Sequence, residues 1–228
     1  MPQNRYDNIL REHNQEILNL SPANQTMRIE LALEIKKILE RKTDLRILEI
    51  GVGEGDLTKY LLQYNPDIKL DCLDISSEML DSAKQNIGDQ NINFIQSDAC
   101  EYLDNPETKT YGVILSAWTI HNFTKKEQRK IFRKIYEKLE SGGVMLIMDK
   151  IYPDNLDKSI GLFNLQNERY RYLNPELENA IRLHEKQDYD TNYKMQESHT
   201  KLLLKEIGFK DIEILDRIER DVLLIARK

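Results

Sequence analysis

The stretch that most constrains the fold runs over residues 45–62, LRILEIGVGEGDLTKYLL. Its first six residues form a short apolar run rich in β-branched residues, which is typical of a strand buried on both faces. Three closely spaced glycines follow, Gly51, Gly53 and Gly55, and then apolar residues at helical spacing. The pattern predicts a strand, a tight glycine turn and a helix capped by Asp56. Such a turn brings backbone N–H groups close to a bound ligand.

The spacing of these glycines separates two kinds of nucleotide site. A dinucleotide-binding fingerprint reads G-x-G-x-x-G, and its third glycine packs the helix onto the strand. Counted from Gly51, that third position is Asp56, and the spacing here is G-x-G-x-G behind Glu49. Because a carboxylate at the strand end disfavours a pyrophosphate, the turn favours a cationic or zwitterionic ligand. The alternative is a βα turn of any α/β protein.

Strand and helix patterns alternate through residues 43–151. Further buried-strand runs occur at 68–75, 91–96, 111–117 and 144–148, and a helix with a capping box is predicted over 124–140. This alternation predicts right-handed βαβ crossovers and a mainly parallel sheet with helices on both faces. A helix over about 192–207 and two strands, 209–215 and 221–226, follow, and we expect the last strand to be antiparallel.

We expect a single domain, residues 1–228, in four parts. Residues 1–42 form an N-terminal helical cap, with helices over 7–20 and 22–41. Residues 43–151 form the ligand-binding core, 153–190 a helical insertion, and 191–228 the final helix and β-hairpin. The insertion interrupts the strand and helix rhythm with two prolines and many polar residues. The first N-terminal helix could close over a ligand site.

Three successive predicted strands end in acids, Glu49, Asp74 and Asp98. In an open α/β sheet, ligands bind outside the carboxyl ends of the strands. Asp74 can accept both hydroxyls of a ribose, which any adenosine cofactor offers, NAD included. Asp98 can accept from an adenine amino group, while Ala99 offers a backbone N–H to the ring. Each of these acids could instead be a helix cap.

The E-x-G-x-G-x-G stretch and the three acids together resemble class I S-adenosylmethionine-dependent methyltransferases over residues 45–151 and, more loosely, over the final helix and hairpin. The resemblance implies an α/β, doubly wound, Rossmann-like fold with a seven-stranded sheet in the order 3-2-1-4-5-7-6. It implies S-adenosyl-L-methionine as the methyl donor and S-adenosyl-L-homocysteine as the product. The acceptor would be an O, N or C atom of a small molecule.

The resemblance also implies a set of cofactor-binding residues. Glu49 would orient the turn and the cofactor's amino group, Ser116 would offer its backbone carbonyl to that amino group, and Trp118 would pack against the adenosine. The full set expected is Glu49, Gly51, Gly53, Gly55, Asp74, Ile75, Asp98, Ala99, Ser116 and Trp118. No metal ligand is expected.

His121 is the expected catalytic residue, because it follows the fourth strand beside the expected sulfonium, and an oxygen or nitrogen acceptor that loses a proton needs a base. The alternative is a loop histidine that packs near the next helix. We expect acceptor contacts from Tyr170, Tyr172 and His184 in the insertion, and from Tyr6 if the N-terminal helix closes. Each of these could instead be a packed or solvated surface side chain.

A second resemblance is carried by NFTKKEQRKIFRKIYEKLESGG, the insertion and ESHTKLLLKEIGF, which are similar to the carboxy-S-adenosylmethionine synthase family of tRNA wobble-uridine modification. That family implies an arginine in the last helix that holds the cofactor's extra carboxylate. An ungapped match places Leu203 there, and the nearest basic residue is Lys205. We therefore favour an ordinary methyl donor. The synthase chemistry and a non-catalytic cofactor-binding protein are the alternatives.

The amino-acid composition limits the classes of binding partner that we expect. The chain carries a net charge of −6 with acids and bases interspersed, so neither a nucleic-acid nor a membrane partner is expected. Cys72 and Cys100 form neither a disulfide framework nor a metal motif. The N-terminus lacks a signal-peptide pattern, and no apolar run is long enough to span a bilayer. We expect a cytoplasmic protein that is a monomer or homodimer.

Overall fold

The computed structural model describes residues 8–88 and 92–228 and contains one twisted, eight-stranded sheet. The strands are β1 (Arg46–Ile50), β2 (Lys69–Asp74), β3 (Ile92–Gln96), β4 (Tyr111–Ala117), β5 (Leu139–Tyr152), β6 (Met195–Gln196), β7 (Lys210–Ile218) and β8 (Asp221–Arg227). Their spatial order is 3-2-1-4-5-8-7, and the two-residue β6 pairs with β5. Strands β1 to β5 run parallel, whereas β8 is antiparallel to both neighbours. With β6 set aside, this is the predicted order, so the fold class is confirmed.

Ten helices accompany the sheet in the described ranges. They are α1 (Asn8–Glu12), α2 (Asn14–Leu18), α3 (Asn24–Arg41), α4 (Asp56–Tyr64), α5 (Ser77–Ile87), α6 (Ala99–Asp104), α7 (Lys125–Lys138), α8 (Leu156–Arg169), α9 (Pro175–Asp188) and α10 (Glu197–Ile207). Short 3₁₀ turns cover Ile120–Asn122 and Tyr170–Tyr172. None of these helices combines the length and the apolar character needed to cross a membrane.

Helices bury both faces of the sheet, because successive strand residues point to opposite sides. Ile47 of β1 packs in a core with Leu31 of α3 and Leu61 of α4. The next residue, Leu48, packs in the opposite core with Phe132 of α7. Because both faces of the sheet are buried, successive residues of its central strands are apolar, as the sequence pattern indicated.

A third, smaller core joins the N-terminal helices to the insertion. Leu10 and Ile17 pack there against Tyr170 and Ile181, together with Leu173 and Leu177. Its members come from the N-terminal helices and from the insertion, and none of them belongs to the sheet. The N-terminal cap and the insertion therefore form one apolar roof.

Several element boundaries differ from the predicted ones. The first N-terminal helix is two short helices, α1 and α2, and α3 begins at Asn24 rather than residue 22. One physical reason is that Ser21 Oγ accepts from the Ala23 N–H at 3.2 Å and donates to Asp221 Oδ2 at 3.0 Å, which anchors the chain before the helix. Helix α4 is capped by Gly55 in a left-handed conformation, with Asp56 as its first residue.

The strand partners explain the remaining differences. Helix α7 ends at Lys138 because Leu139 already pairs with Tyr111 of β4. Likewise α10 begins at Glu197, since β6 pairs with the end of β5 before the helix starts. Long-range pairing of this kind overrides local helix signals.

Candidate active site

A cavity of about 290 Å³ opens at the carboxyl ends of the strands, between the glycine turn and the apolar roof. Glu49, Gly51 and Asp74 line one end of it. His121 and Lys150 line the other end, together with residues of α9. The position is the one expected for a ligand in an open α/β sheet.

The glycine turn requires glycine for two different reasons. Gly51 has a φ of 74°, and a Cβ there would lie 2.2 Å from Thr119 Oγ1. Gly53 has a φ of 54° and open space beside its Cα, and its N–H donates to Asp74 Oδ2 at 2.9 Å. A ligand can therefore approach the backbone closely at Gly53.

Gly55 shapes the turn from behind. Its φ is 82°, and a Cβ would lie 2.7 Å from Ile87 Cδ1 of α5. The absence of a side chain lets α4 pack next to α5. Of the three glycines, Gly51 and Gly53 line the cavity.

Glu49 is a buried acid at the end of β1. Its Oε2 accepts from Thr58 Oγ1 at 2.6 Å, and the Arg28 guanidinium acts on its charge. Burial raises the pKa of Glu49 to about 8, although Thr58 and Arg28 oppose that rise. A cation placed beside this carboxyl would favour its charged form.

Asp74 holds the turn and retains acceptor capacity. Its Oδ1 accepts from the Ser76 N–H at 3.0 Å, and its Oδ2 accepts from Gly53. Burial raises the pKa of Asp74, while these backbone N–H groups oppose the rise. The following residue, Ile75, is 44% exposed and presents an apolar surface to the cavity. An acid beside an apolar surface suits a ribose with an attached base.

Asp98 is a helix cap that also lines the cavity. Its Oδ1 accepts from the backbone N–H groups of Cys100 at 2.8 Å and Glu101 at 3.0 Å. Ala99 lines the cavity beside it. The two interpretations of Asp98 offered by the sequence, a cap and a ligand contact, are thus compatible, since Oδ2 is not used by the cap.

The segment after β4 differs in detail from expectation. Ser116 is buried, and its Oγ donates to the Ile50 carbonyl at 3.0 Å, so Ala117 lines the cavity in its place. Trp118 has a φ of 48°, which is strained for this residue type, and its Nε1 donates to Asp221 Oδ1 at 2.9 Å. The Trp118 side chain lines the cavity.

These groups fit S-adenosylmethionine. Glu49 matches an ammonium group, Asp74 a ribose diol and Ile75 an apolar base. The open space beside Gly53 would admit the ligand's chain. A pyrophosphate would instead meet the carboxyl groups at this end of the cavity.

At the opposite end, His121 is held by a fully buried acid. Its Nδ1 lies 2.6 Å from Asp149 Oδ1, and Asp149 Oδ2 accepts from the backbone N–H groups of Ile120 at 2.7 Å and His121 at 3.2 Å. A carboxylate oxygen accepts hydrogen bonds, so the Nδ1–H of His121 donates to Asp149. This contact fixes the orientation of the imidazole ring, with Nε2 on the side away from Asp149.

A network of four buried charges adjoins this histidine. Lys150 Nζ lies 3.0 Å from Glu185 Oε1 and 2.7 Å from Asp188 Oδ2, and Arg220 pairs with Glu185 through Nη2 at 2.9 Å. Burial alone would lower the pKa of Lys150, but the two carboxylates raise it above its ordinary value. Burial would raise the pKa of Glu185, but Arg220 and Lys150 hold it well below its ordinary range. All four groups are charged at neutral pH.

The predicted acceptor residues occupy different environments. Tyr170 is buried in the cavity wall and donates to Glu185 Oε1 at 2.8 Å. His184 also lines the cavity, and burial lowers its pKa to about 4, so it is neutral at physiological pH. Tyr172 is 81% exposed and does not line the cavity. Tyr6 lies outside the described residues.

His121, His184 and Asp188 bring three possible metal-ligand atoms together. The Nε2 atoms of the two histidines lie 3.6 and 3.4 Å from Asp188 Oδ2. This donor set suits a divalent transition metal. However, the Lys150 ammonium contacts the same carboxylate oxygen and would repel such an ion.

Sequence reasoning missed Arg28, Asp149 and the charge network. Asp149 follows a buried strand, as the other predicted site acids do, so its position at the end of that apolar run was a usable signal. Glu185 and Arg220 lie 35 positions apart, and no spacing rule connects them. In the sequence, both residues resemble ordinary solvent-exposed charged residues of a helix or a loop.

Comparisons with known proteins agree with this geometry. Residues 47–143 match a family model described as a methyltransferase domain. Over 103 residues the chain is 39% identical to malonyl-[acyl-carrier protein] O-methyltransferase 1 of Ilyobacter polytropus, covering 45% of this chain and 37% of that protein. Over 188 residues it is 27% identical to carboxy-S-adenosyl-L-methionine synthase of Trichodesmium erythraeum, covering 80% and 72%. The chain thus spans little more than a third of the first relative.

Solved structures show the same fold. The plantazolicin methyltransferase BpumL in complex with SAH superposes with a TM-score of 0.73, covering 100% of this chain and 93% of that one at 16% identity. The CurJ carbon methyltransferase gives a TM-score of 0.70, covering 94% of this chain and 57% of that one, also at 16% identity.

Proposed function

We propose that the chain is a class I S-adenosylmethionine-dependent methyltransferase and that it transfers a methyl group from S-adenosylmethionine to an oxygen atom of a small molecule. The match of residues 47–143 to a methyltransferase-domain family model supports this proposal. The same match supports the predicted enzyme class and cofactor. The observation that supports an acceptor needing deprotonation is the buried pair of His121 and Asp149 in the same cavity as the cofactor-binding residues. Nitrogen and carbon acceptors that lose a proton would use the same pair.

S-adenosylmethionine supplies a sulfonium-activated methyl group, which an acceptor takes in a single displacement that leaves S-adenosylhomocysteine. The protein's main contribution is to hold the two reactants in line, and positioning of this kind contributes about 7–11 kcal/mol. In our proposal Glu49, Asp74 and the glycine turn hold the donor. The cavity wall formed by Tyr170, His184 and the apolar roof holds the acceptor.

His121 acts as the general base in this scheme. Its Nε2 takes the acceptor's hydroxyl proton as the oxygen lone pair forms the new bond to carbon. Asp149 keeps the proton on Nδ1 and stabilises the resulting imidazolium. A base of this kind contributes about 10²–10⁴-fold.

The small size of the proposed acceptor is supported by the roof over the cavity. Ile17 and Ile181 belong to the third core and also line the cavity. They enclose the acceptor end between the N-terminal helices and α9. The net charge of −6 also disfavours a nucleic-acid acceptor.

The test is a turnover measurement on His121→Asn with an acceptor found by screening hydroxylated metabolites for S-adenosylhomocysteine release. We expect kcat to fall about 10²–10⁴-fold, with the affinity for S-adenosylhomocysteine unchanged. Asp149→Asn should lower kcat in the same way. Unchanged kcat in a folded His121→Asn variant would remove the base from the proposal. Cofactor binding without turnover of any acceptor would favour a non-catalytic binding protein.

Synthesis of carboxy-S-adenosylmethionine is the second candidate function. It is supported by the match to that synthase, which covers 80% of this chain. Against it, Leu203 of α10 is buried in the core, and Lys205 is exposed on the same helix. Helix α10 therefore brings no cation to the cavity. Mass spectrometry of the co-purified cofactor separates the two functions, because the extra carboxylate increases its mass.

A further inference from the structure

Lys150, near the end of β5, is a buried cation with one donor left for a ligand. Its side chain lines the cavity, and the residue is 9% exposed. An ammonium has three N–H donors. Among the described residues two oxygens accept from Lys150 Nζ, Glu185 Oε1 at 3.0 Å and Asp188 Oδ2 at 2.7 Å. The third N–H is therefore available to an oxygen of a ligand in the cavity.

The position of this ammonium places it beside His121. Asp188 Oδ2 lies 2.7 Å from Lys150 Nζ and 3.6 Å from His121 Nε2. The two nitrogens thus flank one carboxylate oxygen, and both side chains line the cavity. Asp188 itself is 2% exposed and does not line the cavity. An acceptor whose hydroxyl reaches His121 Nε2 therefore brings its oxygen next to the Lys150 ammonium.

The charge of Lys150 is fixed by its partners. Burial opposes the charged form, but Asp188 and Glu185 raise the pKa of Lys150 above its ordinary value. Arg220 pairs with Glu185, so the two cations and the two carboxylates of this network balance. Lys150 consequently acts as a permanent cationic hydrogen-bond donor and not as a base.

A fixed cation beside the reacting atom selects the chemistry of the acceptor. An acceptor oxygen becomes negative as it loses its proton, and an ammonium within hydrogen-bond distance stabilises that charge. A protonated amine would be repelled by Lys150, and a carbon atom is a poor hydrogen-bond acceptor. The position of Lys150 therefore favours oxygen over nitrogen and carbon.

The surrounding wall limits the rest of the acceptor. Ile17, Phe123 and Ile181 give the cavity apolar surface there. The polar groups nearby bond within the protein, since Tyr170 donates to Glu185 Oε1 at 2.8 Å. A hydroxyl on an aromatic ring combines an apolar body with an acidic O–H. An aliphatic alcohol is a much weaker acid, and an imidazole base removes its proton less readily.

We propose that Lys150 donates its third N–H to the acceptor's oxygen and that the acceptor is a phenol. This inference rests on the proposed function, since it takes S-adenosylmethionine as the methyl donor. The hydroxyl proton passes to His121 Nε2, the oxygen's electron pair forms the bond to the methyl carbon, and the electrons of the broken S–C bond stay on sulfur. Lys150 keeps its three protons throughout. Because it contacts the reacting oxygen, it is a second catalytic residue.

The test is an absorbance titration of 4-nitrophenol in the complex of the protein with S-adenosylhomocysteine, which has no methyl group to transfer. The phenol and phenolate forms of this probe absorb at different wavelengths, so its ionisation is measured without turnover. We expect the ionisation constant of bound 4-nitrophenol to exceed that of the free compound about 10- to 100-fold, as for an acid beside a cation.

Lys150→Met should lower the ionisation constant of the bound probe at least about tenfold, because the cationic donor is lost. If this variant does not fold in circular dichroism, the double variant Lys150→Met/Asp188→Asn provides the test. In the double variant Arg220 and Glu185 still pair, so no buried carboxylate loses its cation. Its reference is Asp188→Asn, which keeps the ammonium and should ionise the probe at least as strongly as wild type.

Two controls separate a contact with the reacting oxygen from support of the cavity wall. Lys158→Met removes an exposed ammonium of α8 that does not line the cavity, and it should leave the ionisation of the probe unchanged. Nitrobenzene, which lacks the hydroxyl, should bind wild type and Lys150→Met with the same affinity in calorimetry. Equal weakening of both probes in Lys150→Met would mean that Lys150 only supports the wall.

Three further outcomes would overturn the inference. A bound probe that ionises like the free compound would mean that no cation contacts its oxygen. Enhanced ionisation that persists without Lys150 would assign the effect to His121. A wild-type complex that binds S-adenosylhomocysteine but not 4-nitrophenol would contradict a phenol as acceptor. Wild-type protein that binds no S-adenosylhomocysteine would instead overturn the proposed function itself.

Discussion

The two ends of the cavity are built differently. The end where we propose that the cofactor binds, here called the cofactor end, uses backbone N–H groups and single acids, each close in sequence to a strand end, such as Glu49, Gly53 and Asp74. The end where we propose that the acceptor binds, here called the acceptor end, uses buried ion pairs between segments far apart in the chain, such as Lys150 with Asp188 and Arg220 with Glu185. The first end is therefore built from groups that are local to the strand ends, whereas the second end needs side chains that only the folded chain brings together. If the two ends are independent, a substitution at the acceptor end should leave cofactor affinity unchanged.

The largest effect is expected at the acceptor end, from Arg220→Met. The change leaves the buried Glu185 carboxylate with Lys150 as its remaining cation, and breaking a buried pair costs about 3–5 kcal/mol of unfolding free energy. Urea unfolding measures this loss. Calorimetry should show the affinity for S-adenosylhomocysteine within about threefold of wild type.

Arg129→Met is the matched control, because its pair with Glu206 is exposed and contributes about 0–1 kcal/mol. A parallel loss of stability and cofactor affinity in Arg220→Met would show that the two ends are not independent.

A smaller effect is expected at the cofactor end, from Gly51→Ala. The new Cβ would clash with Thr119 and would occupy a positive φ, so we expect a loss of about 1–3 kcal/mol in stability. The turn would also shift, and S-adenosylhomocysteine affinity should fall at least about tenfold, or about 1.4 kcal/mol. Thermal unfolding and calorimetry measure the two quantities.

Gly142→Ala provides the comparison, since Gly142 has a φ of 72° with nothing near its Cβ position and lies far from the cavity. It should cost about 1–2 kcal/mol and leave the affinity unchanged. Unaltered cofactor affinity in Gly51→Ala would show that the turn tolerates displacement.

The smallest effect concerns pH and Glu49. Its pKa is raised to about 8 in the folded protein, so between its ordinary value and 8 the folded state binds the extra proton. The contribution of Glu49 to the free energy of unfolding is fully present below the pKa that this group has in the unfolded chain. That contribution is lost as the pH rises toward 8. Arg28, Asp74 and Asp56 are the charged neighbours that act on it. A cofactor ammonium favours the ionised form, so binding should release a proton.

Calorimetry at pH 7 in buffers of different ionisation enthalpy measures that proton release. We expect the affinity for S-adenosylmethionine to rise several-fold, by up to about tenfold per pH unit, from pH 6.5 to 7.5. Glu49→Gln removes the titrating group and should abolish both the proton release and this pH dependence. Proton release that persists in Glu49→Gln would place the titration elsewhere, Asp74 being the next group to test.

The sequence allowed most of the fold to be predicted, and most of the residues predicted to bind a cofactor line the cavity. Strand alternation, the capping box at Thr124 and Glu127, and the glycine spacing are local patterns, and the structure has the elements they indicated. Element ends were less predictable. The start of β5 at Leu139 depends on its pairing with Tyr111, which no local pattern encodes. The same limit explains why Tyr172, an aromatic residue near Tyr170, points to solvent while Tyr170 is buried.

The sequence by itself determined the doubly wound sheet, the glycine turn and the strand-end acids that line the cavity, because hydrophobic period and cap spacing act within a few residues. Only the tertiary structure decided which charges meet. Asp149 reaches His121 across 28 positions, and Arg28 lies over Trp118 from a different element. Electrostatic pairing and burial depend on which elements become neighbours in space, and that is settled only when the whole chain packs.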